Sequence, residues 1–154
     1  MELNKGSAES TLDDKGRVNI PTRFREYYQG ELVITWGMEH CAWIMTPLVW
    51  ERFEKALHDS ETLTQEERLI LADKHLNQAQ VVELDKTGRI AIPPTVRKYA
   101  NLTRDCIVIR DENRLSIWDS NTFNEYLAQK DPLARTAMNK LGSKDIFSAT
   151  RDRV

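Results

Sequence analysis

LDDKGRVNIPTRFREY, residues 12–27, has a counterpart in LDKTGRIAIPPTVRKY, residues 84–99. At an offset of 72, Leu12 falls on Leu84, Asp13 on Asp85, Gly16 on Gly88, Arg17 on Arg89, Ile20 on Ile92 and Pro21 on Pro93. Arg25 then falls on Arg97 and Tyr27 on Tyr99, while Val18 faces Ile90 and Phe24 faces Val96 as apolar exchanges. Eight identities in sixteen positions stand far above the roughly one that residue frequencies of about 5–7% would give. The period is too long, and the copies too few, for a solenoid. A duplicated half-fold is the better reading.

Each copy has a polar centre carrying a glycine, with apolar residues at alternate positions on either side: Leu12 before Gly16, Val18 and Ile20 after it. That pattern predicts a β-hairpin or sharp bend with Gly16, and likewise Gly88, where the backbone needs φ > 0. Pro21 and Pro93 end the strand because proline cannot donate to a ladder, and the residues after them suit a short helix. Two apolar runs come next in each copy, ELVITW (31–36) and CAWIM (41–45) in the first, DCIVIR (105–110) and RLSIW (114–118) in the second. Beyond them stand N-cap candidates, Thr46 before Pro47 and Asp119 or Ser120. Helices beginning there place Val49, Phe53, Ala56 and Leu57 on one face, and Phe123, Tyr126 and Leu127 on another. Each half therefore reads strand, turn, strand, short helix, strand, strand, helix.

Between the halves, TLTQEERLILADKHL (62–76) carries a capping-box signature in Thr64 and Glu67. Leu69, Leu71 or Ala72, and Leu76 supply an apolar stripe, so a helix joins the copies. From about Gln129 to Val154 the sequence is weakly patterned, and this stretch is expected to be partly ordered or flexible unless docked on a neighbour.

Composition narrows the function classes. Of 154 residues, 40% are hydrophobic and 30% charged, as in an ordinary soluble globular protein. No apolar run approaches the roughly 20 residues that span a bilayer. The first residues lack the apolar core of a secretory signal, so a cytoplasmic location is expected. Cys41 and Cys106 stand far apart in apolar surroundings and read as buried free thiols. His40, His58 and His75 show no metal-ligand spacing, and nothing calls for a metal, a cofactor or a small-molecule substrate. The formal charge of −2 argues mildly against a nucleic-acid binder, although a local basic patch can attract phosphates from an acidic surface. P-loop, G-x-G-x-x-G, H-E-x-x-H and G-x-S-x-G signatures are all missing, and Asp13, Asp14 and Asp85 sit beside Lys or Gly-Arg as charge partners rather than an acid–base pair. An enzyme is not expected.

The paired L-D-x-x-G-R-[VI]-x-I-P segments, with IWD (117–119) closing the second half, resemble the MraZ family of bacterial transcription regulators, whose chains carry two SpoVT-AbrB-like repeats. The resemblance places one repeat at residues 7–53, a helical connector at 54–80, a second repeat at 81–124 and a tail at 129–154. It implies a mainly β fold with short helices (α+β), in which two swapped hairpins interlace into one pseudo-symmetric barrel. It also implies ring-shaped homo-oligomers that bind tandem G-rich boxes in double-stranded DNA. The genes controlled would be a cell-division and cell-wall cluster including the protein's own, and the protein would be nucleoid-associated. The family's D-x-x-x-R signature falls on Asp13 and Arg17 and on Asp85 and Arg89. Lys15 is matched by Thr87 and Arg23 by Thr95, so the first copy is the richer in cations.

The DNA-binding candidates are accordingly Lys15, Arg17, Arg23, Lys86 and Arg89. Gly16, Gly88, Asp13, Asp85, Arg25 and Arg97 are the motif and structural residues. Arg17 and Arg89 either brace their bends through Asp13 and Asp85 or offer donors to a phosphate or a guanine edge, and one arginine can do both. Lys15, at a tight tip, projects away from the body. Lys86 is its weaker analogue, and Arg23 is a solvated helix charge or a phosphate contact. Arg25 and Arg97 fit an internal ion pair equally well. Trp36, Trp43, Trp50 and Trp118 lie in apolar runs or on helix faces, as core or subunit-contact residues do, rather than interleaved with cations. The rival to a DNA-binding regulator is a cytosolic scaffold or antidote-type protein-interaction module.

Overall fold

Both glycine turns form. In the computed structural model, which describes residues 5–148, Gly16 has φ 77° and Gly88 φ 84°, a region that costs any residue with a Cβ. The Gly16 amide donates to the Asp13 carbonyl at 3.0 Å and the Gly88 amide to the Asp85 carbonyl at 3.1 Å. Beyond each bend Val18 returns to pair with Leu12, and Ile90 with Leu84.

In the first repeat the turn connects β1 (Gly6–Thr11) to β2 (Arg17–Asn19), after which come a 3₁₀ turn at Thr22–Phe24, β3 (Glu31–Trp36), β4 (Ala42–Met45) and α1 (Pro47–Asp59). The connector holds α2 (Gln65–Leu71), which runs into a π-helical turn at Ala72–Leu76. The second repeat gives β5 (Gln80–Glu83), β6 (Arg89–Ala91), α3 (Pro94–Tyr99), β7 (Asp105–Arg110), β8 (Leu115–Asp119) and α4 (Ser120–Leu141), with α5 (Ser143–Ile146) last. The element order predicted for each half is the one that forms. The proline-terminated segment makes a longer helix in the second copy. There Pro94 occupies the first helical position with its φ already set, where the first copy has Thr22.

The strands interlace across the repeats. A six-stranded antiparallel sheet runs β1-β7-β8-β4-β3-β5, so the first strand of each repeat leaves its own half to pair with the other. β2 and β6 form a separate two-stranded ribbon, again one strand from each repeat. Exchanging the repeats maps this order onto itself reversed. The pseudo-axis passes through the Val18–Ile90 pair of the ribbon and the Trp43–Ser116 pair of the sheet. Both copies feed one core: Val18, Ile20, Phe24, Leu32, Ile34 and Ile44 pack with Ile90, Ile92, Val96, Val108, Leu115 and Ile117. The fold is thus mainly β with short helices, as the sequence predicts.

Helix starts obey their signals. Thr46 Oγ1 accepts the Val49 amide at 3.4 Å, Thr64 and Glu67 form a complete capping box, and Asp119 Oδ2 accepts the Thr122 amide at 3.3 Å. Of the connector stripe, Leu71, Ala72 and Leu76 are half-buried but Leu69 is exposed, and the π turn also buries His75. Cys41 and Cys106 are free and buried, and burial pushes their thiols up to about 12 and about 11. Trp118 is buried, Trp36 stacks on Tyr99, and Trp43 stacks on His75.

The chain divides into two compact units after Thr122. In the second, the stretch from Gln129, expected to be partly ordered or flexible, is helical through most of its described length. α4 continues through Pro132 to Leu141, with an Arg135–Asp131 ion pair at 2.8 Å one turn apart, and helix resumes to Ile146. Good helix formers and i,i+4 pairing outweigh one proline in so long a segment. Residues 149–154 of the expected tail lie outside the described residues.

Candidate nucleic-acid interface

The β2–β6 ribbon has two faces, set by the strand period of two. Val18 and Ile90 point into the core and are fully buried. Arg17 and Asn19 lie on the opposite face, across from Ala91 and Arg89 respectively. The two family-motif arginines therefore share one surface at diagonal positions.

Each arginine is held by the aspartate that closes its turn. Asp13 Oδ1 accepts the backbone amides of Lys15 and Arg17 at 2.9 Å, while Oδ2 takes Arg17 Nε at 2.8 Å. Asp85 repeats the arrangement with Thr87 and Arg89, Arg89 Nε lying at 3.1 Å. A cross-link joins the two, Arg89 Nη1 to Asp13 Oδ2 at 3.5 Å. The backbone amide of Arg17 chiefly holds the Asp13 carboxyl below its ordinary range. The Arg89 amide, helped by the Thr87 hydroxyl and amide, holds that of Asp85 further down. Both aspartates are therefore ionised, and each orients its guanidinium through Nε, so that the Arg17 Nη groups remain available to a ligand.

Arg25 and Arg97 are not ion-paired with any described carboxylate; each lies across the glycine of the other repeat. Arg25 packs against Gly88, its Nε donating to the Ile20 carbonyl at 2.7 Å and Nη2 to Asn19 Oδ1 at 3.2 Å. Arg97 packs against Gly16, where a Cβ would come within 2.6 Å of Nη1. The glycines are thus required twice, for backbone conformation and for room. Reciprocal bonds complete the seam: the Ile20 amide donates to the Gly88 carbonyl and the Ile92 amide to the Gly16 carbonyl, both at 2.8 Å.

Lys15 and Lys86 stand exposed on the two turns, with no side-chain partner among the described residues. Across residues 13–19 and 85–91, together with Arg25 and Arg97, six cations face three carboxylates, Asp13, Asp14 and Asp85. This patch is positive on a chain whose formal charge is −2. Arg23 is set apart: its Nη2 donates to the Ser7 carbonyl on β1 at 2.7 Å, and its guanidinium lies over the Phe24 ring.

Comparison with known proteins matches both halves of the chain. The family model described as "MraZ protein, putative antitoxin-like" matches residues 3–73 and 76–142, one segment for each repeat. The chain belongs to the MraZ family. A relative from Treponema denticola, "Transcriptional regulator MraZ", is 34% identical over 138 residues, covering 89% of this chain and 96% of its own.

Within the MraZ fold, ten of the eleven residues singled out from the sequence gather on the ribbon and its two turns, and Arg23 is the exception. The sequence reading missed Asn19, which lies on the ribbon's outer face and accepts from Arg25. Alternation from Arg17 would have found it, since Val18 points inward. It also treated the two hairpins as separate candidates, whereas the outer surface is assembled from one strand of each. Among the described residues there is no cluster of His, Cys, Asp and Glu able to hold a metal, and no helix long and apolar enough to cross a membrane.

Proposed function

We propose that this protein is a sequence-specific DNA-binding transcription regulator. The composite ribbon carries the reading: two arginines at diagonal positions on one outer face, each oriented by an ionised aspartate, with a lysine on each flanking turn. A two-stranded ribbon has the width to enter a major groove about 12 Å across. Arginine is suited to guanine, whose O6 and N7 accept from one guanidinium. Arg17 and Arg89 are the base readers, while Lys15 and Lys86 contact phosphates and set the register. Arg23 uses donors left over from its Ser7 bond for a further phosphate. The name of the Treponema denticola relative supports regulation of transcription.

The finer reading draws on the family resemblance. Residues 7–53 and 81–124 act as the two repeats, joined by 54–80. Several protomers form a ring on tandem G-rich boxes, where each bound protomer raises the effective concentration of the next. The genes repressed belong to a cell-division and cell-wall cluster including the protein's own, which places the protein in the cytoplasm on the nucleoid.

A titration of double-stranded DNA from upstream of the protein's own gene, against a shuffled control at low and physiological salt, tests the proposal. Preference for the genomic sequence, weakening as salt rises, supports it; equal affinity for both refutes it. Arg17→Ala should remove roughly 1–3 kcal/mol of that preference while the variant retains its thermal transition. A second reading, an antidote-type interaction module, draws on the antitoxin-like description of the family model and gains ground if the titration shows no sequence preference.

A further inference from the structure

The ribbon is pseudo-symmetric, but the symmetry breaks at one matched pair. Asn19 and Ala91 occupy equivalent places under the 72-residue offset, and each lies beside the arginine that crosses the opposite glycine. On one side Arg25 is held internally, through Nε to the Ile20 carbonyl and through Nη2 to Asn19. On the other side Ala91 offers no acceptor. Arg97 has no side-chain hydrogen bond or ion pair among the described residues, and its Nε is enclosed without a partner. An N–H left in this way is costly, because it has lost water without gaining an acceptor, whereas the Arg97 Nη groups are not enclosed.

The same side holds a second uncommitted cation. Lys15 belongs to the turn that Arg97 covers, and the two side chains, from opposite repeats, line one open hollow of about 440 Å³ with Ala91, Ile92 and Pro93. Glu83 also lines it but pairs with neither cation within 4.0 Å. The pseudo-equivalent position cannot offer the same pair: Thr87 replaces Lys15, and Arg25 is bound internally.

We infer that Lys15 and Arg97 form a phosphate seat present on one side of the ribbon only, so that Arg97 is a ligand-contacting residue while its repeat mate Arg25 is an internal brace. This rests on the ribbon being the DNA-binding face. A backbone phosphate in the seat accepts from the Arg97 Nη groups, which have no internal acceptor among the described residues. Because the other side has no such seat, a nearly symmetric ribbon docks on DNA in one orientation. The asymmetry comes from two side-chain differences, Asn19 against Ala91 and Lys15 against Thr87.

Two measurements test the seat on the full chain. In the first, inorganic phosphate is titrated while the arginine side-chain NMR resonances are monitored. The Arg97 signal should shift and that of Arg25 should not; no shift of Arg97, or equal shifts of both, overturns the seat. In the second, the salt dependence of DNA affinity is measured for the wild type, Arg97→Gln and Ala91→Asn. Loss of one phosphate contact reduces the slope of log K against log salt by about 0.9. Arg97→Gln should show this by removing the cation, and Ala91→Asn by giving Arg97 an internal acceptor. Slopes equal to the wild type in both variants overturn the seat. Should Arg97→Gln fail to fold, Ala91→Asn at its exposed position decides the matter. If phosphate shifts Arg97 alone but the wild type does not bind DNA, the seat stands and the DNA reading fails.

Discussion

Gly16 and Gly88 occupy equivalent turns with similar backbone angles, yet their substitution should not have equal effects. An alanine at either site forces a Cβ into the left-handed region, costing about 1–2 kcal/mol. At Gly88 the added methyl also meets the Arg25 guanidinium, which is tied to the Ile20 carbonyl and to Asn19. Displacing it sacrifices hydrogen bonding worth roughly another 1 kcal/mol. At Gly16 the obstacle is Arg97, which has no internal bond to lose and can swing aside. Urea unfolding should therefore rank Gly88→Ala below Gly16→Ala in stability by about 1 kcal/mol, and equal losses would contradict this account. The need for glycine at both sites is legible in the sequence, because a polar tip between alternating apolar residues demands a tight turn. The arginine lying over each glycine is not. Arg25 and Arg97 stand nine residues beyond their own glycine, and only the crossing of repeats brings each to the other's.

Among the elements, the connector departs most from its sequence pattern. The capping box fixes where α2 begins, but a stripe read at 3.6 residues per turn presumes that the α-helix continues. The π-helical turn at Ala72–Leu76 adds a residue to the turn and rotates the side chains beyond it. His75, which no spacing argument marked, goes inward, while Leu69 and Ile70 remain exposed. The histidine stacks on Trp43, meets Phe53 edge-on and directs Nδ1 to the Trp36 carbonyl at 2.7 Å. Its own carbonyl accepts the Thr35 hydroxyl. Burial is the largest influence on its titration and holds its pKa below the ordinary 6.5, with Lys74 and Arg114 acting in the same direction. A folded value below the unfolded one means that His75 stabilises the protein above the unfolded pKa. That contribution is lost as the pH falls through the depressed folded value. Urea midpoints should drop as the pH falls through the window below the ordinary histidine value of 6.5, and His75→Gln, which has no group titrating there, should drop less. Identical pH profiles would remove His75 from the explanation. Below this window, protonation of Asp13 and Asp85, both held low by backbone amides, should loosen the ribbon turns as well.

At the scale of the whole molecule, the repeat was the clearest signal in the sequence, and the way the copies join was the least clear. Periodicity marks Val18, Ile20, Leu32 and Ile34 as inward-facing, but inward-facing residues in two similar halves do not say whether there are two cores or one. Strand exchange decides it. Among the described residues β1 has no ladder partner in its own half beyond the turn and pairs along its full length with β7, while β5 pairs with β3. A half taken alone would present an unpaired β3 edge and expose Val18, Ile20 and Phe24, which are now fully buried. About sixty residues also bury too small a fraction of their surface for robust stability when strands are missing. Fragments 1–61 and 62–154, separated in the exposed loop between α1 and α2, should therefore each lack native β-structure by circular dichroism. Mixed in equal amounts, they should recover it, because every interlaced strand pair becomes available again. Independent folding of either fragment would show that the repeats are autonomous and that the shared core is not what holds them together. The intact chain should then unfold through residues 5–122 in one transition, since no strand pair of the six-stranded sheet can be lost from one repeat without stripping the other.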